Sequence, residues 1–167
     1  AGTTLYSQGA FLISYKISGE TDPAKKQALF EELMKCYDQR VQYFGNNKKY
    51  PEAYIRGRQA MDYIKFTNET NYLDKVLPWL EMSVTKRGAD ADNDVIQKYF
   101  ELLEHRYQSD KAKYSESFIN DYLALGTIVD QRIARADKYK EAYMITRNNL
   151  NAIFVNSGAA DCSTLEG

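Results

Sequence analysis

Apolar residues recur every three or four positions along almost the whole of this 167-residue chain, a period that fits α-helices and no strand. Asp22-Pro23 supplies an N-cap followed by proline at the first helical position. Leu29, Leu33, Tyr37, Val41 and Phe44 then step along one face to Gly45, where a left-handed cap is expected. Pro51 opens a second stripe, Tyr54, Met61 and Ile64, which stops near Thr67-Asn68. A third covers residues 70–87 through Leu73, Leu77, Leu80 and Val84 and ends at Gly88, and Pro78 inside it is expected to kink or divide that helix. After "DADND" comes the stripe Val95, Tyr99, Leu102, Leu103 and Tyr107. "QSDKAK" reads as a polar break, and Phe118, Tyr122, Leu125, Val129 and Ile133 follow it. The last stripe, over residues 138–155, turns Tyr139, Tyr143, Thr146, Leu150 and Ile153 inward, with Gly158 beyond its end. With residues 1–17 also read as a helix, the expectation is about seven helices and no strand.

Connections of about 3 to 7 residues make consecutive helices antiparallel. The length suits a single helical-repeat domain over residues 1–157, with a tail at 158–167. Only nine Gly and three Pro are present, too few for the turns of an all-β sandwich. Lys and Arg number 22 against 23 Asp and Glu, so no net field draws the chain to nucleic acid or to an anionic membrane. No apolar run approaches the roughly 18 residues of a membrane span, and the opening residues lack the basic head of an export signal. Ala1 reads as a processed or truncated end, which leaves localisation illegible from the chain. The two Cys, at 36 and 162, have no metal spacing and read as packing residues that a stacked array keeps apart.

One internal echo stands out. "DQRV" at Asp38–Val41 returns as "DQRI" at Asp130–Ile133, and the likeness continues beyond it. With three residues dropped from the connection, Glu52-Ala53-Tyr54, Arg58 and Ile64 correspond to Glu141-Ala142-Tyr143, Arg147 and Ile153, while Met61 faces Leu150. Tyr99 falls about midway between Tyr54 and Tyr143, so the unit is a helix hairpin of about 45 residues. Units two steps apart do not converge on one pocket. DQR is therefore read as structural, with Val41 and Ile133 packing inward and the Asp and Arg pairing with neighbouring helices or facing water.

The stretches "YDQRVQYFG", "KYPEAYIRGRQAMDYI", "LPWLEMSVTKRG" and "NNLNAIFVNSGAADCSTL" resemble a family of tetratricopeptide-like helical-repeat proteins of Bacteroidales-type bacteria, over most of the chain. The resemblance implies an exported protein of the periplasm or cell envelope, with a longer parent and a further hairpin before Ala1. It carries no catalytic residues over. In the tetratricopeptide pattern Gly57 is the small residue of a first helix, and Val76, Leu80 and Ser83 are the small or apolar positions of its second. About seven extra residues between Gly57 and Val76, and Gly88 where Pro is usual, depart from that pattern.

Candidate chemistry is sparse. Asp90, Asp92, Asp94 and Glu101 take the spacing of a calcium loop, but Val95 occupies the place that needs Gly, and the helix from Val95 carries Glu101 away. These acids read as a helix cap. His105 is the only histidine and has no second ligand one turn away, and "NET" at 68–70 reads as a connection. No catalytic constellation, metal site or cofactor motif is expected. The fourteen Tyr are mostly core, yet Tyr54, Tyr99 and Tyr143 recur once per hairpin on first helices. In a right-handed tetratricopeptide-like superhelix of antiparallel hairpins those helices line the concave face. Tyr54, Arg56, Arg58, Tyr99, Tyr143 and Arg147 are the candidate binding residues there, for a protein or peptide held by stacking and charge-assisted hydrogen bonds. The expected function is a non-enzymatic peptide-binding scaffold or adaptor. One alternative is a structural or oligomerising segment whose first helix packs on a missing hairpin or a second copy, and a remoter one is a helical-repeat enzyme.

Overall fold

The computed structural model describes residues 3–161. Among them the chain is all-α, with seven α-helices and no strand: α1 (Thr3–Gly19), α2 (Pro23–Phe44), α3 (Glu52–Phe66), α4 (Leu73–Arg87), α5 (Asn93–Ser109), α6 (Lys111–Ala134) and α7 (Lys140–Asn156). One 3₁₀ turn, Gly88–Asp90, precedes α5. None of these helices is long and apolar enough to cross a membrane. The chain divides into two compact units, one ending at Lys86 and the other beginning at Arg87. The expected separation of Cys36 from Cys162 lies outside the described residues.

The first unit is a run of antiparallel helices. Asp22 caps α2 by accepting from the amides of Ala24 and Lys25, with Pro23 at the first position. Across α2 and α3 the contacts step in opposite directions. Phe30 meets Tyr63 edge-on at 5.2 Å, Gln59 Nε2 donates to Asp38 Oδ1 at 3.1 Å, and Arg56 Nη1 donates to the same oxygen at 2.7 Å. α4 closes this unit with Trp79, which meets the Tyr63 ring edge-on at 6.0 Å and lies under the Arg56 guanidinium.

Several sequence expectations need correction. Gly45 is right-handed, with φ −60°, because its N–H continues the helical ladder to the Val41 carbonyl at 2.8 Å. Pro78 does not divide α4: it is exposed near the start of the helix, and Asp74, whose carbonyl loses its amide donor, is exposed as well. The inward face of α3 is not Tyr54, Met61 and Ile64, which are half-buried. It runs instead through Ala53, Gly57 and Ala60, whose small side chains let neighbouring elements approach, together with Ile55, Gln59 and Tyr63. In α2 the buried line is Phe30, Leu33, Tyr37 and Arg40, so Arg40 and not Val41 takes the core position; Ile133 is likewise half-buried. Tyr139 is exposed because it precedes α7 as its N-cap.

In the second unit α5, α6 and α7 each pack on the other two. The break expected in "QSDKAK" falls at Asp110 and is a single residue long. α5 ends at Ser109, α6 begins at Lys111, and Asp110 alone turns the chain while its side chain caps α6 through the Lys113 amide at 3.1 Å. Phe118 organises the core. Its ring stacks on Tyr107 at 4.8 Å and on Phe100 at 5.0 Å, while Tyr122 and Phe154 stack beside it at 4.0 Å. Gln97 accepts from Asn149 and Gln108 donates to the Ser157 carbonyl, which fixes α5 parallel to α7 with α6 reversed against both.

Candidate functional site

The repeated DQR segments prove to be equivalent structural corners, one in each unit. Each Asp pairs with an arginine of the following helix, Asp38 with Arg56 at 2.7 Å and Asp130 with Arg147 at 3.1 Å. The arginine of each motif lies over two tyrosine rings. Arg40 stands 5.8 Å from the Tyr50 centroid and 5.7 Å from that of Tyr54, and Arg132 stands 5.6 Å from Tyr139 and 4.6 Å from Tyr143. The equivalence is not complete: the aligned partner of Arg147 is Arg58, yet Asp38 is bound by Arg56, which Gln59 and Trp79 hold in place.

Within this common plan the units differ between their first and third helices. α5 and α7 pack together, whereas α1 and α3 do not pack in this way, and between them lies a groove of about 480 Å³ floored by α2. α1 contributes Phe11, Tyr15 and the small residues Ser7, Ala10, Ser14 and Ser18; α2 contributes Tyr37 and Arg40; α3 contributes Tyr54, Arg58, Asp62 and Lys65. Phe11 and Tyr15 are 71% and 73% exposed, so their rings stand free at the rim. Three cationic side chains face a single carboxylate, and the groove is therefore electropositive.

That carboxylate is tied to α2 through one of its oxygens. The Tyr37 hydroxyl donates to Asp62 Oδ2 at 2.6 Å. Burial pushes the Asp62 carboxyl above its ordinary range, against the opposing pull of Tyr37, Lys65 and Arg58. Burial, followed by the Asp62 charge, pushes the Tyr37 phenol far up, so it remains a hydrogen-bond donor.

Of the six residues expected to bind, Tyr54 and Arg58 line this groove. Arg56 is engaged with Asp38, Gln59 and the Trp79 ring. The other three belong to the second unit. Tyr99 is buried in α5; Tyr143 is buried and its hydroxyl donates to the Ala91 carbonyl at 2.5 Å, with burial pushing its phenol up. Arg147 stacks over Tyr122 and bonds Asp130 and Asn151. It reaches them across Gly126, where a Cβ would come within 2.6 Å of its Nη1. The groove residues that periodicity missed are the whole α1 wall and, on α2 and α3, Tyr37, Arg40, Asp62 and Lys65. The signal on α2 and α3 was the cationic residue at a core position of α2 and the Tyr37/Asp62 complement one helix later.

The acids spaced like a calcium loop are separately engaged. Asp90 accepts from Arg135, which holds its carboxyl below the ordinary range, Asp92 pairs with Arg87, and Glu101 pairs with Lys98. No group of metal-ligating side chains is gathered among the described residues. His105 is exposed on α5. No protein-family model, curated protein or solved structure matches this chain.

Proposed function

We propose that the protein is a non-enzymatic binding module whose first unit takes an acidic peptide segment of a partner protein in the groove between α1 and α3. The observation that carries this is the groove's lining: Arg40, Arg58 and Lys65 outnumber Asp62, and tyrosine and phenylalanine rings flank them. Such a surface suits an extended anionic chain, because guanidinium groups bind carboxylates and carbonyls while the rings cover the peptide's apolar parts. The resemblance to exported tetratricopeptide-like repeat proteins agrees with an adaptor in the cell envelope. Calorimetric titration with a blocked Asp/Glu-rich octapeptide tests it. Binding is expected to weaken as salt rises and to fall about tenfold in Lys65→Glu, equal to ~1.4 kcal/mol. Equal affinity for a Lys-rich control, or binding insensitive to salt, contradicts the proposal.

A second reading has its own support on α1. Leu5, Phe11, Leu12 and Tyr15 are each more than half exposed there, from 56% to 73%, which makes this helix an association surface for a second copy. Light scattering across a concentration series decides it: a mass that rises toward the dimer and returns to the monomer in Leu5→Glu/Leu12→Glu supports association, and a constant monomer excludes it.

A further inference from the structure

The second unit shows what its version of the DQR corner does. Arg132, stacked on Tyr139 and Tyr143, sends Nη1 to the Ala89 carbonyl at 2.8 Å, and the Tyr143 hydroxyl bonds the Ala91 carbonyl. Between these two main-chain acceptors the Asp90 carboxylate pairs with Arg135. The corner is thus a receptor for a short segment, small-acidic-small, and its ligand is the protein's own turn ahead of α5.

Arg40 is the counterpart of Arg132, and Tyr50 and Tyr54 are the counterparts of Tyr139 and Tyr143. Arg40 is 6% exposed and lines the groove, yet its Nε is buried without a hydrogen-bond partner. In Arg132 the same atom donates to Asp137 at 2.9 Å. A buried guanidinium N–H left unmatched is destabilising, and a ligand acceptor in the groove removes that cost.

We infer that Arg40 is a receptor for main-chain carbonyls of a partner peptide, binding in trans a small-acidic-small segment like the one Arg132 binds in cis. This rests on the peptide-binding reading and adds to it the contact that fixes the backbone. The acidic side chain is met differently in the two units. Tyr43 stands where Arg135 stands in the second, so Arg58, one turn along α3 from Tyr54, takes the carboxylate.

The test uses the whole chain and, as probe, a blocked peptide with the sequence of residues 88–94, Gly-Ala-Asp-Ala-Asp-Asn-Asp. The ¹H–¹⁵N resonance of Arg40 Nε is followed by NMR during titration of the wild-type protein, alongside affinities for Arg40→Met and Lys65→Glu. The expected result is a downfield shift of the Arg40 Nε proton that saturates with peptide, and at least a tenfold loss of affinity in Arg40→Met. The wild-type resonance stands as evidence even if that variant unfolds. Peptide binding that Lys65→Glu weakens, with an unmoved Arg40 Nε signal and unchanged affinity in a folded Arg40→Met, overturns the role of Arg40 and leaves the groove reading intact. No binding at millimolar peptide overturns both.

Discussion

Asp62 shows how a single residue can set the pH behaviour of the groove. It is held by the Tyr37 hydroxyl, and burial raises its pKa above the ordinary aspartate value. A carboxyl with a raised folded-state pKa binds its proton more tightly in the folded than in the unfolded chain. Its contribution to stability is therefore full below the unfolded value and declines as pH rises through the folded one. Carbon-detected NMR of the Asp62 carboxyl is expected to give a midpoint above 3.8, the ordinary value, and Asp62→Asn to remove that part of the decline. A midpoint at or below the ordinary value contradicts the account. Legibility was uneven at this scale. Asp22 as a cap followed from Asp-Pro, since that chemistry is local. Arg40 in the core did not, because periodicity assigns core positions to apolar residues and cannot foresee a guanidinium sheltered by two tyrosine rings.

Elements were legible where their ends carry their own chemistry. Pro23, Pro51, Gly88 and Gly158 mark boundaries that the structure keeps, and the left-handed φ of +53° at Gly88 and +81° at Gly158 explains two of them. The break in "QSDKAK" is real but only Asp110 lies outside a helix, because Lys111, Ala112 and Lys113 form the exposed first turn of α6, which the Asp110 side chain caps. Faces were harder than ends: α3 buries Ile55 and Tyr63 among Ala53, Gly57, Gln59 and Ala60, and small or polar residues on a buried face leave no apolar stripe to read. Helix α6 depends most on Phe118, whose ring contacts Tyr107, Phe100 and Phe154. Phe118→Ala is expected to cost about 3–5 kcal/mol in urea unfolding. A loss under about 1 kcal/mol would mean that the aromatic stack is not the core of the second unit.

At the scale of the whole molecule, one helical plan is used twice with opposite outcomes. The echo of DQR identified the shared corners correctly. It could not reveal that the corner of the second unit is filled by its own chain at Ala89 and Ala91 while that of the first borders a groove, since both follow from how first and third helices pack. For the same reason Tyr99, Tyr143 and Arg147, equivalent to groove residues by spacing, are committed to internal contacts or to the core. The central claim, a peptide groove in the first unit alone, is tested most directly by amide chemical-shift mapping of the wild-type protein against an acidic octapeptide. The account predicts saturable shifts confined to α1, the end of α2 and α3, centred on Ser14, Arg40, Tyr54 and Arg58. Shifts centred on Tyr143 and Arg147, or none at millimolar peptide, would contradict it.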